Sequence, residues 1–418
     1  MRKIKVRDII INDKIEVSIS IEGDVDFLTM FNSHNFIISL DYNVNVSECP
    51  KSIAVIPAIS LMLPVAWIFD AEVTCESIDK TFYDAIDQFK QGYVNMYPEI
   101  TFAGKVSPHV IEDNSYLTNG SLVLFSGGVD AFNTLASHYY ENPDLLTIWG
   151  ADVSYDNENG WLPVKKQLEK ISCEFNLNSY IVHSNCRQIL NDRALLSYIS
   201  KFNPKYNWWH DFQHGICIIS HAAPISFVNN YETVYIASTF TAKDIGNYTC
   251  ASDPTIDNFV RFGSTLVKHD GYEFSRQDKI KNISTFRDNI HKDIPLRVCY
   301  ESKNGDNCCR CEKCYRTIMG IIAEKKDPIG FGFDKFDISH KKKMIHDLRI
   351  YKIPNFNFRY KYIQDRFNHN YGNNCPKEFT WFHDLCIDIH GDWSRYRKAW
   401  RLKRKIMRGC TKLFGIKW

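Results

Sequence analysis

Three stretches near the start of the chain alternate apolar and polar positions: IKVRDIIIN, KIEVSISIE and FIISLDYNVNV. Each places every second side chain on one side of an extended backbone, so three strands are predicted within the first fifty residues. Residues 52–69 (SIAVIPAISLMLPVAWIF) then run for 18 positions without a charge, which is the lower limit of length for crossing a bilayer. Pro57 and Pro64 interrupt the run, Asp70 and Glu72 follow it, and no Lys/Arg cluster flanks it. A buried helix beginning near Pro57 fits these features better than a membrane span. SIDKTFYDAIDQFKQGYVN reads as a second helix, and residues 1–117 together read as an α+β accessory domain.

From Leu122 the texture changes. Short apolar runs, SLVLF, LLTIWG, SYIVHS and TVYIAS, are separated by segments long enough for crossover helices. This alternation predicts an α/β domain over residues 118–325, a parallel, doubly wound sheet with ligands at the carboxyl ends of its strands. Residues 326–418, rich in Phe, Tyr, His and Lys, form a C-terminal extension read as helical. No internal repeat or low-complexity tract is present.

Charged residues at 24% and hydrophobic ones at 44% exclude a disordered chain, and a net charge of +2 excludes a nucleic-acid binder that is basic all over. The balance is uneven. Residues 394–418 hold ten Lys or Arg and no acid, and without those ten the rest carries 41 basic against 49 acidic residues, a charge of −8. Trp400, Ile406, Met407, Leu413, Phe414 and Trp418 are interleaved in this tail. It reads as a basic helix for an anionic membrane surface, for nucleic-acid phosphates or for an acidic protein partner, or as a solvated terminal helix packed by its aromatics. There are 14 cysteines, but the opening MRKIKVRDII has no apolar signal region. The expectation is a cytoplasmic protein, peripheral to a membrane at most through its tail, with free thiols and a metal site in place of a disulfide framework.

Ser126-Gly127-Gly128-Val129-Asp130 follows the strand SLVLF and precedes a helical pattern. Two glycines allow a tight turn that exposes N–H groups at a helix N-terminus, which favours phosphate or pyrophosphate. Ser126 adds a hydroxyl, and Asp130 can orient the loop or hold Mg²⁺. The alternative is a tight connection capped by Asp130. Neither GxxxxGK[ST] nor GxGxxG occurs.

Cys299, Cys308, Cys311 and Cys314 are spaced C-x8-C-x2-C-x2-C. Their thiolates can close a tetrahedral Cys₄ site around Zn²⁺, structural because every coordination position is filled, with an iron–sulfur cluster as the chemical alternative. Arg297, Arg310, Lys313 and Arg316 would offset the formal charge of about −2. Cys309 reads as a spare thiol, and the other nine cysteines read as small packed apolar residues.

Together, SGGVD after the first strand of an α/β domain and this cysteine spacing resemble the PP-loop ATP pyrophosphatase superfamily, in the branch containing 7-cyano-7-deazaguanine synthase. The resemblance covers about residues 118–325. It implies an adenine-nucleotide α-hydrolase-like sheet, ATP with magnesium, and cleavage between the α and β phosphates to AMP and pyrophosphate. A carboxylate or carbonyl oxygen, on a small molecule or a protein terminus, would become an adenylate that ammonia or another amine displaces. By this resemblance Ser126, Gly127, Gly128, Val129 and Asp130 form the pyrophosphate loop, and Gly150, Ala151 and Asp152 fall where adenine and ribose contacts lie. Ser275-Arg276-Gln277-Asp278 is similar to the family's Ser-Lys-x-Glu helix start, with Arg in place of Lys. Position 131 departs from the family pattern: Ala131 stands where a second hydroxyl is usual, and losing one charge-assisted hydrogen bond costs about 2 kcal/mol.

Arg276 and Lys279 are further candidate cations for phosphate, or part of a solvated helix face. His269-Asp270, before Gly271, reads as an acid–base pair in a loop, or as a surface turn. His210 and His214 have i,i+4 spacing within a largely apolar run that also holds His221; metal binding there lacks an HExxH pattern. Two other functions remain open: sulfur transfer to tRNA, and a nucleotide-binding module that does not turn over, within a larger assembly.

Overall fold

In the computed structural model, which describes residues 2–299, 301–302, 305–349, 356–387 and 402, the strand patterns of the N-terminal and central regions enter one sheet. Its eleven strands are β1 (Arg2–Ile11), β2 (Ile15–Glu22), β3 (Asn35–Tyr42), β4 (Ala71–Asp79), β5 (Lys105–Glu112), β6 (Ser121–Leu124), β7 (Asp144–Trp149), β8 (Ser179–Ser184), β9 (Thr233–Ala237), β10 (Arg261–Phe262) and β11 (Thr265–Asp270). They stand in the order 10-11-9-6-7-8-3-2-1-4-5. Six of the ten pairings are parallel, so the protein is α/β with a mostly parallel sheet.

The chain separates into two compact units, Met1–Ser275 and Arg276–Trp418, and not at the expected boundaries of 117 and 325. The N-terminal strands are five of the eleven in the first unit's sheet because β3 pairs antiparallel with β8, Leu40 opposite Ser184 and Tyr42 opposite Val182. Asparagines stitch this seam. Asn43 Oδ1 accepts from Ile181 N at 2.7 Å, Asn185 Oδ1 accepts from Ser39 N at 2.9 Å, and Asn185 Nδ2 donates to Ile37 O at 2.9 Å. Such amides meet backbone groups that a strand end would otherwise leave unpaired.

The uncharged run forms helix Ile56–Ile68, with every residue buried, preceded by the short helix Lys51–Ala54. It packs on β4 and on helix His214–Ser220. Gln213 Nε2 donates to Leu61 O at 2.8 Å, and the hydroxyls of Tyr93 and Tyr97 donate to Phe212 O and Asp211 O. A helix apolar on all sides is stable where it is covered on all sides, each large side chain contributing about 2 kcal/mol. Among the described residues no helix is long and apolar enough to cross a membrane.

Within the first unit the parallel run reads β8-β7-β6-β9-β11. The chain moves outward from β6 through β7 to β8, then returns to the opposite side of β6 for β9 and β11. In open α/β sheets, right-handed crossovers running in opposite directions put their helices on opposite faces, and the strand ends at such a reversal, here β6 and β9, are where ligands bind. β6 is buried throughout, as a central parallel strand must be.

The second unit is helical: Arg276–Ile290, Glu312–Ala323, Ile338–Arg349, Phe356–Tyr371 and the short Thr380–His383. Gln277 Nε2 donates to Gly320 O at 3.0 Å, and a Cβ on Gly320 would stand 2.5 Å from Ile280 Cδ1, so the first two helices meet at a glycine. Arg366 ties Asp278 (2.7 Å) to Glu324 (2.9 Å). The basic segment 394–418, apart from residue 402, lies outside the described residues.

Candidate functional site

The SGGVD loop lies at the reversal of strand order. β6 ends, Phe125 O accepts from Thr147 Oγ1 at 2.7 Å, and Ser126 is exposed. Gly127 takes φ +75°, a left-handed turn suited to glycine, and a Cβ there would meet Gln167 Oε1 at 3.2 Å. Gly128, extended at φ −81°, ψ 175°, precedes helix Val129–His138 with no side chain to cap it. Buried Val129 anchors the turn, and Asp130 is half-buried in the first turn. First-turn N–H groups of a helix point out of its N-terminus, so the loop has the geometry of an anion cradle. Ala131 is buried, its methyl packed at the base of the helix.

At the end of β7, Gly150 takes φ +120°, and a Cβ there would lie 1.9 Å from Ser184 O. The exit of β7 is thus pressed against the end of β8. Ala151 O accepts from Arg187 at 3.2 Å, and Asp152 is exposed. The Arg187 guanidinium lies 4.0 Å from the Trp209 ring centroid, and Trp209 meets His214 edge-on at 5.5 Å. Burial pushes the His214 imidazole down to about 4, so it is neutral at ordinary pH. Arg187 escaped the sequence reading, although a basic residue just past the carboxyl end of a parallel strand was the available signal.

His269 and Asp270 end β11 and do not form the expected loop pair. Successive strand side chains point to opposite faces of a sheet. His269 Nδ1 lies 2.8 Å from Asp257 Oδ2, with both side chains buried, and burial raises the Asp257 carboxyl above its usual range. Asp270 instead accepts from Thr134 Oγ1 at 2.7 Å and meets His138 Nε2 at 2.9 Å. His138 Nδ1 is 2.7 Å from Glu141, and its ring stacks on Tyr235 at 3.7 Å. Burial lowers the His138 pKa, but the hydrogen bonds of Asp270 and Glu141 outweigh it, and the net shift is upward.

Arg276 and Lys279 belong to the second unit, in the first turn of helix Arg276–Ile290. Lys279 is 1% exposed, so the solvated-face reading fails for it: its side chain faces the packed side of the helix. Asp244 is the last residue of the short helix Ala242–Asp244 and closes a capping box with Thr241.

The four expected cysteines converge, with all ligand atoms of Cys299, Cys308, Cys311 and Cys314 within 4.8 Å of one another. Sulfur separations are 3.8 Å for Cys299–Cys311 and 4.0 Å for Cys308–Cys314, against about 3.8 Å for a tetrahedron of 2.3 Å metal–sulfur bonds. Cys311 stands at the N-cap position of helix Glu312–Ala323 and Cys314 lies in its first turn. Cys299 Sγ accepts from the N–H groups of Glu301 (3.3 Å) and Ser302 (3.2 Å). Asn307 holds the knuckle closed, donating to Leu296 O at 2.7 Å and Gly332 O at 2.8 Å. Cys309, at φ +53° and buried, bonds Asn307 O and stands apart. The donor set fits one metal ion.

A second group was not anticipated. Cys186 and Cys217, read as packed apolar residues, meet His221, whereas His210 and His214 join no metal-binding group among the described residues.

No protein-family model matches the chain, and no curated protein matches it. The functional reading rests on the residues themselves.

Proposed function

We propose that the protein is an ATP-dependent, AMP-forming enzyme of the PP-loop type that activates a carboxylate or carbonyl oxygen and transfers nitrogen to the carbon that bears it. The observation that carries this reading is the SGGVD turn at the carboxyl end of β6, where the strand order reverses and a helix begins from a glycine N-cap. The Cys₄ knuckle in the same chain, at the spacing of the 7-cyano-7-deazaguanine synthase branch, supports it.

In this reading the loop N–H groups and Ser126 would hold the β and γ phosphates, and Asp130 would hold magnesium, which offsets phosphate charge. The substrate oxygen attacks the α-phosphorus, pyrophosphate leaves, and the adenylate carries the activated carbonyl. Ammonia then attacks that carbon, AMP departs with the bonding pair, the nitrogen loses a proton to solvent, and an amide results. The rate comes from positioning and from charge stabilisation at the α-phosphate. Arg187, bonded to Ala151 O and paired with Asp192 at 3.4 Å, is a cation at the strand ends of the first unit that a nucleotide phosphate could recruit. The Cys₄ site would hold zinc in a structural role, since four thiolates leave no open position.

The test is incubation with ATP, magnesium, ammonia and a panel of carboxylates, reading AMP and pyrophosphate. AMP formation that Asp130→Asn removes is the expected result. ATP binding without AMP from any acceptor would favour a nucleotide-binding module, the reading that Ala131 supports.

A further inference from the structure

The group around His221 lies in the first unit, away from the cysteines whose spacing is visible in the sequence. Cys186 follows β8, Cys217 lies within helix His214–Ser220, and His221 follows that helix. All three are buried, Cys186 at 3%, Cys217 at 1% and His221 at 1% exposure. Cys186 Sγ is 3.7 Å from Cys217 Sγ and 3.6 Å from His221 Nε2. Metal–sulfur bonds of about 2.3 Å and metal–nitrogen bonds of about 2.0 Å in a tetrahedron give edges of about 3.8 and 3.5 Å.

Close sulfur packing alone would produce similar separations, so the imidazole decides the matter. His221 Nδ1 is 2.6 Å from Cys217 O, a partner that can only accept, which fixes a hydrogen on Nδ1 and makes Nε2 the atom that carries the lone pair of the neutral ring. That lone pair is directed at Cys186 and at Ser184 Oγ, 2.9 Å away. A ring nitrogen donating to a backbone carbonyl while the other faces thiols is the arrangement that metal-binding histidines adopt. The backbone is held as well, since Tyr42 OH donates to His221 O at 2.7 Å.

We propose that Cys186, Cys217 and His221 bind a second Zn²⁺, with the Ser184 hydroxyl or a water at the fourth corner. Charge favours a divalent ion over a monovalent one. Two thiolates and a neutral imidazole cancel the 2+ of zinc, so nothing uncompensated is buried, whereas Cu⁺ in the same ligands would leave one negative charge. Binding releases the two thiol protons. The ion would join the end of β8 to helix His214–Ser220 and fix Arg187, the next residue after Cys186.

The test is metal content of the full-length protein by mass spectrometry of the elements, alongside its intact mass. Two zinc ions per chain are expected, falling to one in Cys186→Ala/Cys217→Ala and to one in Cys311→Ser/Cys314→Ser. The wild-type count stands even if a variant fails to fold. An ion lost only with Cys186 and Cys217 would sustain this site while removing the Cys₄ assignment. One zinc per chain that the Cys186/Cys217 variant retains would overturn the proposal. So would copper in place of the second zinc, or a mass 2 Da low from a Cys186–Cys217 disulfide.

Discussion

The two cysteine groups are built on opposite plans. The Cys₄ knuckle comes from one stretch of chain, residues 299–314, wrapped around the start of a helix, with Cys299 and Cys308 part-exposed. The Cys₂His group draws on a strand end and a helix 31 residues later, and it is wholly buried. A knuckle of the first kind needs only a short loop to close, at small entropic cost. The second exists only once the sheet and its covering helices are in place. Metal at the first site therefore reports a local fold, and metal at the second reports assembly of the whole first unit.

Chelation should separate the two most sharply. Structural zinc contributes about 10 kcal/mol to small metal-dependent folds, so a chelator strong enough to empty the Cys₄ site should abolish the cooperative melting of the helical unit. Calorimetry should show the first unit's transition surviving, shifted only as far as its own ion is removed; loss of both transitions together would break the contrast.

Next in size is Gly150→Ala. A Cβ would stand 1.9 Å from Ser184 O at φ +120°, forcing the ends of β7 and β8 apart at about 4 kcal/mol. Denaturant unfolding should show that loss, and zinc analysis should show the buried site emptied while the Cys₄ site stays filled. Loss of both ions would contradict the separation.

Asp130→Asn touches neither group. AMP formation should fall at least 100-fold, about 2.7 kcal/mol, with zinc content unchanged. A parallel fall in zinc would join the phosphate loop to a metal site.

The smallest effect concerns His138, whose pKa is raised in the fold by Asp270 and Glu141. Its contribution is fully present below the ordinary value of 6.5 and is lost as pH rises through the elevated one. Glu141, lowered in the fold, contributes above its ordinary 4.5. His138→Gln should therefore cost about 1 kcal/mol between pH 4.5 and 6.5 and progressively less at higher pH, in urea titrations. A pH-independent cost would assign His138 to packing alone.

Legibility followed the same division between local and assembled features. The alternation of KIEVSISIE and the apolar runs SLVLF and SYIVHS placed β2, β6 and β8 within a residue or two. β4 and β5 were missed: AEVTCESID carries three acids, and β5 holds Pro108, tolerated because the strand is at the sheet's edge. His269-Asp270-Gly271 resembles a turn, so the sequence points to a loop where β11 ends and pairs His269 with Asp270, whereas the strand turns His269 to Asp257. The Cys₄ spacing was plain because its ligands are sequence neighbours. Cys186, Cys217 and His221 gave no such signal, because only the crossover from β8 through the following helices brings them together. The join between β3 and β8 was equally invisible, since strand pairing across 140 residues leaves no local trace.

That join has a consequence during synthesis. As the chain leaves the ribosome from its N-terminus, β1 to β5 can pair before β8 exists, and β3 then presents an open edge whose partner is still untranslated. An open edge invites pairing with another nascent chain. A fragment ending near residue 117 keeps that edge permanently and should aggregate or pair with itself, whereas one reaching past the Asn185 stitch can cover it. Truncation for expression therefore belongs after residue 275, where the first unit ends.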